Sequence, residues 1–136
     1  ALSDAGREAI VLLGGRTEHD LYLKDEFEAL GMDVRCTTED GSFGHKGQVT
    51  LLLDNVVSDR DIQLYSCGPS AMLLAVAEKA RSWDVPHQVS LERRMGCGMG
   101  CCLGCVVYTD EYKRACTEGP VFDADLISWE RDPEPL

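Results

Sequence analysis

The stretch at residues 62–91, IQLYSCGPSAMLLAVAEKARSWDVPHQVSL, has the pattern of a strand, a helix and a second strand in succession. The apolar run at 62–66 predicts a strand, and Pro69 and Ser70 suit the first turn of a helix. The apolar face of residues 71–83 predicts that helix. A further strand is predicted at 87–91, after Pro86. This order is typical of α/β proteins with a parallel sheet and helices on its faces, and it predicts that fold class.

The chain N-terminal to this stretch continues the alternation. A short apolar run ended by Gly14 and Gly15 predicts a strand buried on both faces, and Asp20 and Gly31 suit the two ends of a helix. The apolar spacing at 47–57 fits a helix better than a strand. The predicted elements here are a strand at 9–13, a helix from an Asp20 cap to about Leu30, a strand at 34–37 and a helix at 47–57.

Beyond residue 93 the chain is dominated by cysteine and glycine, and a small hairpin is predicted after residue 105. Five of the seven cysteines lie between 97 and 116, and four have the spacing C-x4-C-x2-C-x10-C: Cys97, Cys102, Cys105 and Cys116. The first three reproduce the plant-type spacing that ligates a [2Fe–2S] cluster together with a distant fourth cysteine. Four glycines in the loop allow it to curl closely around inorganic sulfide. The spacing therefore predicts a [2Fe–2S] cluster.

Other roles for these cysteines stay open. Zinc sites are usually built from two C-x2-C pairs, and here only Cys102 and Cys105 form one, so a zinc-stabilised interaction module is the alternative. Cys101 is predicted not to be a ligand, because it is adjacent to Cys102. Cys36 and Cys67, standing alone, are predicted to be small core residues rather than ligands.

Charge and hydropathy exclude some function classes. The net charge of −11 predicts that the chain does not bind nucleic acid, because it would repel phosphates. No apolar run approaches the roughly 20 residues that span a bilayer, and no signal peptide is visible, so a cytoplasmic protein without membrane contact is expected. The three histidines are isolated, and each is predicted to be a surface or packing residue.

Four cations flank the cysteines in this otherwise acidic chain. Arg93 and Arg94 precede the first cysteine of the pattern, and Lys113 and Arg114 precede the last. They would offset the negative charge of four thiolates and a bound cluster. The alternative is that they form a solvated basic rim.

Several segments resemble those of a known family. Residues 90–105, SLERRMGCGMGCCLGC, and residues 116–123, CTEGPVFD, resemble the cluster-binding segments of the electron-transfer subunit of bacterial dihydroorotate dehydrogenase B. The segments GGR at 14–16, EDGS at 39–42 and CGP at 67–69 are similar to motifs of that family's ferredoxin-reductase-like pyridine-nucleotide domain. Cys101 departs from the family, which usually has a small non-ligand residue at this position.

The resemblance implies a ferredoxin-reductase-like (Rossmann-type) parallel sheet, incomplete at its N-terminus, and a small C-terminal [2Fe–2S] domain. The expected domains are residues 1–87, a partial pyridine-nucleotide-binding domain, and residues 88–136, which bind the cluster. Family members begin with a flavin-binding β-barrel and a Gly-rich nucleotide-binding turn, so the chain is expected to be a C-terminal part. The gap left in its sheet would be closed by re-pairing of strands or by dimerisation, or would remain strained.

The resemblance also implies cofactors, partners and site residues. Electrons would pass from NADH through FAD and the [2Fe–2S] cluster to FMN on a partner catalytic dihydroorotate dehydrogenase subunit, in pyrimidine biosynthesis. NAD(H) binding by this chain is expected to be weak or absent, and FAD is expected in the complete subunit only, so the chain by itself is not expected to be catalytically competent. The alternative is the electron-transfer subunit of a hydrogenase or of a ferredoxin:NADP oxidoreductase. The implied nucleotide contacts are Gly14, Arg16, Asp40, Cys67, Gly68 and Pro69.

Overall fold

The computed structural model describes residues 4–56 and 61–131, and the chain divides into two compact units, residues 1–59 and 60–136. The described part of the first unit, residues 4–56, contains three strands, one α-helix and two 3-10 helices. In chain order these are β1 (Ile10–Gly15), a 3-10 turn (Glu18–Asp20), α1 (Lys24–Ala29), β2 (Asp33–Thr38), β3 (His45–Lys46) and a 3-10 helix (Val49–Asn55).

The three strands of the first unit form a parallel sheet in the order β1-β2-β3. The second predicted strand is confirmed as β2, whose Cys36, Thr37 and Thr38 are buried. The helical interpretation of residues 47–57 is confirmed for Val49–Asn55; residue 57 lies outside the described residues. The expectation that the first strand is buried on both faces is wrong, because β1 is mostly half-buried and Ile10 is 43% exposed. A three-stranded sheet with short flanking elements covers its outer strand poorly.

The predicted helix from an Asp20 cap to Leu30 is wrong at its start. Asp20 instead ends a separate 3-10 turn, where its carboxylate Oδ2 accepts hydrogen bonds from Thr17 N at 2.9 Å and Thr17 Oγ1 at 3.1 Å. The chain then passes through Leu23, whose φ is +61°, before α1 begins at Lys24. The carboxylate closes a local turn, so it cannot also cap the longer helix.

The second unit contains the strand–helix–strand stretch and the cysteine region. Its elements are β4 (Leu64–Cys67), α2 (Ser70–Trp83), β5 (His87–Ser90), β6 (Val106–Tyr108), β7 (Tyr112–Arg114), α3 (Ala115–Glu118), β8 (Val121–Asp123) and a 3-10 helix (Ala124–Leu126). β4 and β5 pair in parallel, and α2 connects them, as predicted. The predicted hairpin is confirmed as β6 and β7, which pair antiparallel. The sequence analysis did not anticipate β8, which pairs antiparallel with β5.

The division between the units does not coincide with the predicted boundary near residue 88. Phe122 of β8 lies opposite Val89 of β5, and Val107 of the hairpin belongs to the same buried core as Leu73 of α2. The segment after residue 88 therefore packs on the apolar face of α2 and pairs with the edge of β5, and so it shields both from solvent. As functional domains, the ranges 1–87 and 88–136 stay a prediction.

Within the described ranges, no helix combines the length and the apolar composition that crossing a lipid bilayer requires.

Candidate metal centre

The hairpin brings the fourth cysteine of the pattern to the third. Cys97, Cys102 and Cys105 lie in the loop between β5 and β6, and Cys116 lies in α3 directly after β7. Val106 pairs with Arg114 in the hairpin, and the backbone N–H of Ala115 donates to the carbonyl oxygen of Cys105 at 3.0 Å. An antiparallel pair joined by a short turn therefore returns the chain across the ten-residue interval to Cys105.

The four thiols are arranged as two hydrogen-bonded pairs, Cys97 with Cys102 and Cys105 with Cys116. In residues 4–56 and 61–131, no three cysteine, histidine or acidic side chains converge closely enough to hold a single metal ion. A [2Fe–2S] cluster needs two thiolates on each iron, whereas a zinc ion would need all four sulfurs around one point. The two pairs fit the ligand set of a two-iron cluster.

Backbone amides of the loop point at the first pair. The N–H groups of Cys101 and Cys102 donate to Cys97 Sγ at 3.3 and 3.4 Å, and the N–H of Gly104 donates to Cys102 Sγ at 3.4 Å. The amide of Met99, followed by the amide and thiol of Cys102, lowers the pKa of the Cys97 thiol to about 6. Donors of this kind stabilise a thiolate, which is the form that binds metal.

The loop conformation that aims these amides depends on glycine. A Cβ at Gly96 would lie 3.0 Å from Cys102 Sγ, and Gly100 has a φ of +84°. A larger residue at either position would disturb the sulfur or strain the turn.

The two thiols of the second pair have pKa values shifted in opposite directions. The amide and thiol of Cys116 lower the pKa of Cys105, while the hydrogen bond to Cys105 raises the pKa of Cys116. Cys105 is buried, whereas Cys101 and Cys102 are exposed. The cysteine site is therefore enclosed by the core on the Cys105 side and open to solvent at Cys102.

Two of the four predicted flanking cations are held by carboxylates. Arg114 Nε donates to Glu118 Oε2 at 2.9 Å, and Arg114 Nη1 reaches the carbonyl oxygen of Gly100 at 3.5 Å. Lys113 Nζ lies 3.7 Å from carboxylate oxygens of Glu111 and Glu118. Glu118 was missed by the sequence analysis, although its spacing of four residues from Arg114 in an acidic chain was a usable signal.

The structure brings together Gly14, Arg16 and Asp40, the predicted nucleotide contacts of the first unit, near the carboxyl ends of β1 and β2. Asp40 N donates to Arg16 O at 3.1 Å. Asp40 Oδ1 accepts from Ser42 N and Oγ at 2.9 and 2.7 Å, and these bonds lower the pKa of Asp40. A Cβ at Gly14 would lie 2.8 Å from Val49 Cβ, so packing alone requires glycine there.

The predicted contacts of the second unit follow β4. Cys67 is exposed, so the expectation that it is a core residue is wrong: the alternation of β4 places it with Tyr65 on the open face of the sheet. Gly68 has a φ of +150°, and Pro69 precedes the first residue of α2. An open cavity of about 260 Å³ lies beside Cys67. Cys36, by contrast, is buried as predicted.

Of the three histidines, His87 is buried and its Nε2 lies 2.8 Å from Ser66 Oγ, which makes it a packing residue as predicted.

Comparison with known proteins identifies both halves of the chain. Residues 1–78 match the oxidoreductase NAD-binding domain, and residues 92–128 match the iron-sulfur cluster binding domain of dihydroorotate dehydrogenase B. A probable dihydroorotate dehydrogenase B (NAD(+)) electron transfer subunit from Methanocaldococcus jannaschii is 40% identical over 131 residues, which are 96% of this chain and 50% of that protein. The corresponding subunit from Bacillus cereus is 43% identical over 123 residues, 86% of this chain and 46% of that protein.

A solved structure of an NADH-dependent reduced ferredoxin-NADP oxidoreductase, studied for flavin-based electron bifurcation, is also similar. It has a TM-score of 0.83 and 35% sequence identity, over 96% of this chain and 48% of that one. The chain thus spans about half the length of the proteins it matches.

These likenesses confirm the ferredoxin-reductase-like α/β fold and the resemblance found in the sequence. The chain belongs to the oxidoreductase NAD-binding domain family, and its C-terminal part is similar to the iron-sulfur cluster binding domain of dihydroorotate dehydrogenase B.

Proposed function

We propose that this chain is an electron-transfer module that holds a [2Fe–2S] cluster on Cys97, Cys102, Cys105 and Cys116. The observation that carries the proposal is the arrangement of the four thiols in two hydrogen-bonded pairs. The first pair also accepts hydrogen bonds from the backbone N–H groups of Cys101, Cys102 and Gly104. The two relatives described above are both named as electron transfer subunits, which supports the same role.

Each part of the site has a role in this proposal. Cys97 and Cys102 would hold one iron, and Cys105 and Cys116 the other. The cluster supplies one-electron redox chemistry when bound. The amides of Cys101, Cys102 and Gly104 stabilise negative charge on the sulfurs, and the core around Cys105 excludes water from one side.

The open side of the site would face the redox partner. Met99 and Leu103 lie three residues before and one residue after Cys102, and their side chains are 70% and 61% exposed. Large exposed apolar side chains beside a reactive site are typical of a protein–protein contact. We propose that they contact an FMN-containing catalytic subunit of dihydroorotate dehydrogenase, to which electrons from NADH pass through FAD and the cluster, in the cytoplasm and for pyrimidine biosynthesis.

The pyridine nucleotide would be bound by the residues that the sequence analysis predicted as nucleotide contacts. Gly14, Arg16 and Asp40 lie at the carboxyl ends of parallel strands, and Cys67, Gly68 and Pro69 lie where β4 leads into α2; both are positions at which α/β proteins bind nucleotides. We expect the chain by itself to bind NADH weakly or not at all and NADH alone not to reduce the cluster. Tight binding in a titration, or rapid bleaching by NADH without an added flavoprotein, would contradict this.

A second function has one observation in its favour. A solved structure that is similar to this chain comes from an NADH-dependent reduced ferredoxin-NADP oxidoreductase, so the partner would then be a ferredoxin-linked flavoprotein. Cluster oxidation by each purified partner separates the two proposals: the FMN enzyme should reoxidise the dithionite-reduced chain faster than the ferredoxin-linked flavoprotein does.

The cluster itself is tested by EPR on anaerobically reconstituted protein. We expect no signal in the oxidised state and, after dithionite, a spin-one-half signal that persists well above liquid-helium temperature. Cys102→Ala should lose the cluster, whereas Cys101→Ala, which removes the neighbouring exposed thiol and keeps the backbone donor, should retain it. Silence in both states of a fully metallated sample would favour zinc. If Cys102→Ala keeps the cluster and Cys101→Ala loses it, then Cys101 and not Cys102 is the ligand.

A further inference from the structure

We infer that Arg114 is a positioning residue that raises the electron affinity of the cysteine site by polarising the peptide group between Gly100 and Cys101. The inference rests on the proposed function, because it assumes that the four cysteines hold a redox cluster. It adds a determinant of the cluster's potential that lies outside the ligands.

The guanidinium group of Arg114 is held in place by Glu118. Both Arg114 Nε and the backbone N–H of Arg114 donate to Glu118 Oε2, each at 2.9 Å. The side chains of Arg114 and Glu118 are 41% and 29% exposed, so the pair is partly shielded from solvent. With Nε fixed in this way, Nη1 extends to the carbonyl oxygen of Gly100 at 3.5 Å.

That carbonyl oxygen belongs to the same planar peptide group as the N–H of Cys101. The Cys101 N–H donates to Cys97 Sγ at 3.3 Å. A positive charge at the oxygen of a peptide group draws electron density from its nitrogen, so the N–H becomes a stronger donor, as in a hydrogen-bonded chain. Arg114 lies two residues before Cys116, yet its charge acts on the first cysteine of the pattern.

The conformation of Gly100 supports this contact independently. Gly100 has a φ of +84°, and a Cβ there would lie 3.3 Å from Thr117 Cγ2 and 3.6 Å from Arg114 Nη1. The cysteine loop therefore packs closely against the start of α3 at this point. The close packing keeps the Gly100 carbonyl within reach of the guanidinium.

The electronic consequence has a definite sign. Reduction adds one negative charge to the cluster and its thiolates, and stronger N–H donors to sulfur stabilise that charge. Arg114 therefore makes the reduction potential more positive. Removing its charge should make the site harder to reduce.

Lys113 is the matched control for this effect. It carries the same charge one position earlier in β7, and its side chain is 39% exposed, close to the 41% of Arg114. Its Nζ lies 3.7 Å from the carboxylates of Glu111 and Glu118. A general field effect would therefore appear in both positions, while the effect through the Gly100 carbonyl belongs to Arg114.

The experiment is a redox titration, followed by EPR, of reconstituted wild type, Arg114→Gln, Arg114→Lys and Lys113→Gln at low ionic strength. At the wild-type midpoint, Arg114→Gln should raise the ratio of oxidised to reduced cluster about tenfold, which is about 59 mV for a one-electron couple. Lys113→Gln should change the ratio less than about threefold. Arg114→Lys should lie between wild type and Arg114→Gln, because a lysine keeps the charge but cannot reach both Glu118 and Gly100.

Equal shifts in Arg114→Gln and Lys113→Gln, or no shift in Arg114→Gln, would overturn the inference. If Arg114→Gln does not fold or hold iron, Arg114→Lys decides: a wild-type potential overturns the inference, and a lowered one supports it. Wild-type protein that holds no iron–sulfur cluster would instead be a failure of the proposed function.

Discussion

The thiol of Cys97 in the metal-free protein should lose its proton at a much lower pH than an ordinary cysteine. The amide of Met99, the amide and thiol of Cys102 and the amide of Cys101 lower its pKa from 9.0 to about 6. Removal of the metal is the perturbation, because it leaves these donors facing a free thiol. The pH at which Cys97 becomes reactive then reports whether the loop holds its donors in place before metal binds.

The expected size of the effect depends on which quantity is measured. At pH 7, a thiol of pKa about 6 is about 90% thiolate, whereas one of pKa 9.0 is about 1% thiolate. Nucleophilicity falls with pKa with a Brønsted coefficient of about 0.4–0.5, so each Cys97 thiolate should react about twentyfold more slowly. The net gain in alkylation rate at pH 7 is only about fourfold. The midpoint of the pH profile, which moves by about three units, is therefore the sensitive readout.

The assay is a short pulse of iodoacetamide across a pH series, followed by mass spectrometry that resolves each cysteine. We expect a midpoint near 6 for Cys97 in the folded protein and a higher one for Cys36, whose pKa is raised by burial. Cys102→Ala should raise the Cys97 midpoint, because it removes a thiol donor while keeping the amide. The same midpoint for Cys97 in folded and urea-unfolded protein would refute the reasoning.

Two further predictions concern stability. Gly31 and Gly44 have φ of +76° and +66°, but a Cβ at Gly44 would overlap the backbone carbonyl of Cys36, while Gly31 has open space among the described atoms. In urea unfolding, Gly31→Ala should lower the free energy of unfolding by about 1 kcal/mol and Gly44→Ala by at least about 3 kcal/mol. Similar losses in the two variants would contradict this. Burial lowers the pKa of His87, which bonds Ser66. The unfolded chain therefore takes up this proton first, so stability should fall as pH drops below about 6.5 until the folded pKa is reached, and His87→Gln should flatten that slope; an unchanged slope would rule His87 out.

Local pattern was sufficient for some elements and insufficient for others. The helix predicted at 71–83 forms as α2, because Pro69 starts it and a continuous apolar face is buried on one side. The start of α1 was predicted wrongly, because Asp20 had a closer partner in Thr17. The strand β8 was missed, because three residues carry too little periodicity and its pairing with β5 joins residues more than thirty apart.

The sequence by itself determined the chemistry of the candidate site. The spacing of Cys97, Cys102 and Cys105 limits which sulfurs one loop can present together, and that constraint is local. Its glycines likewise show that the loop curls tightly.

Only the tertiary structure decided how that chemistry is arranged. The register of the β6–β7 hairpin places Cys116 beside Cys105, and the packing of the loop on α3 places Arg114 at the Gly100 carbonyl. It also decided that Cys67 is exposed. The direction of a backbone N–H or C=O group depends on dihedral angles and strand register, and these are set by contacts between segments distant in the chain rather than by the identity of the residue that carries the group.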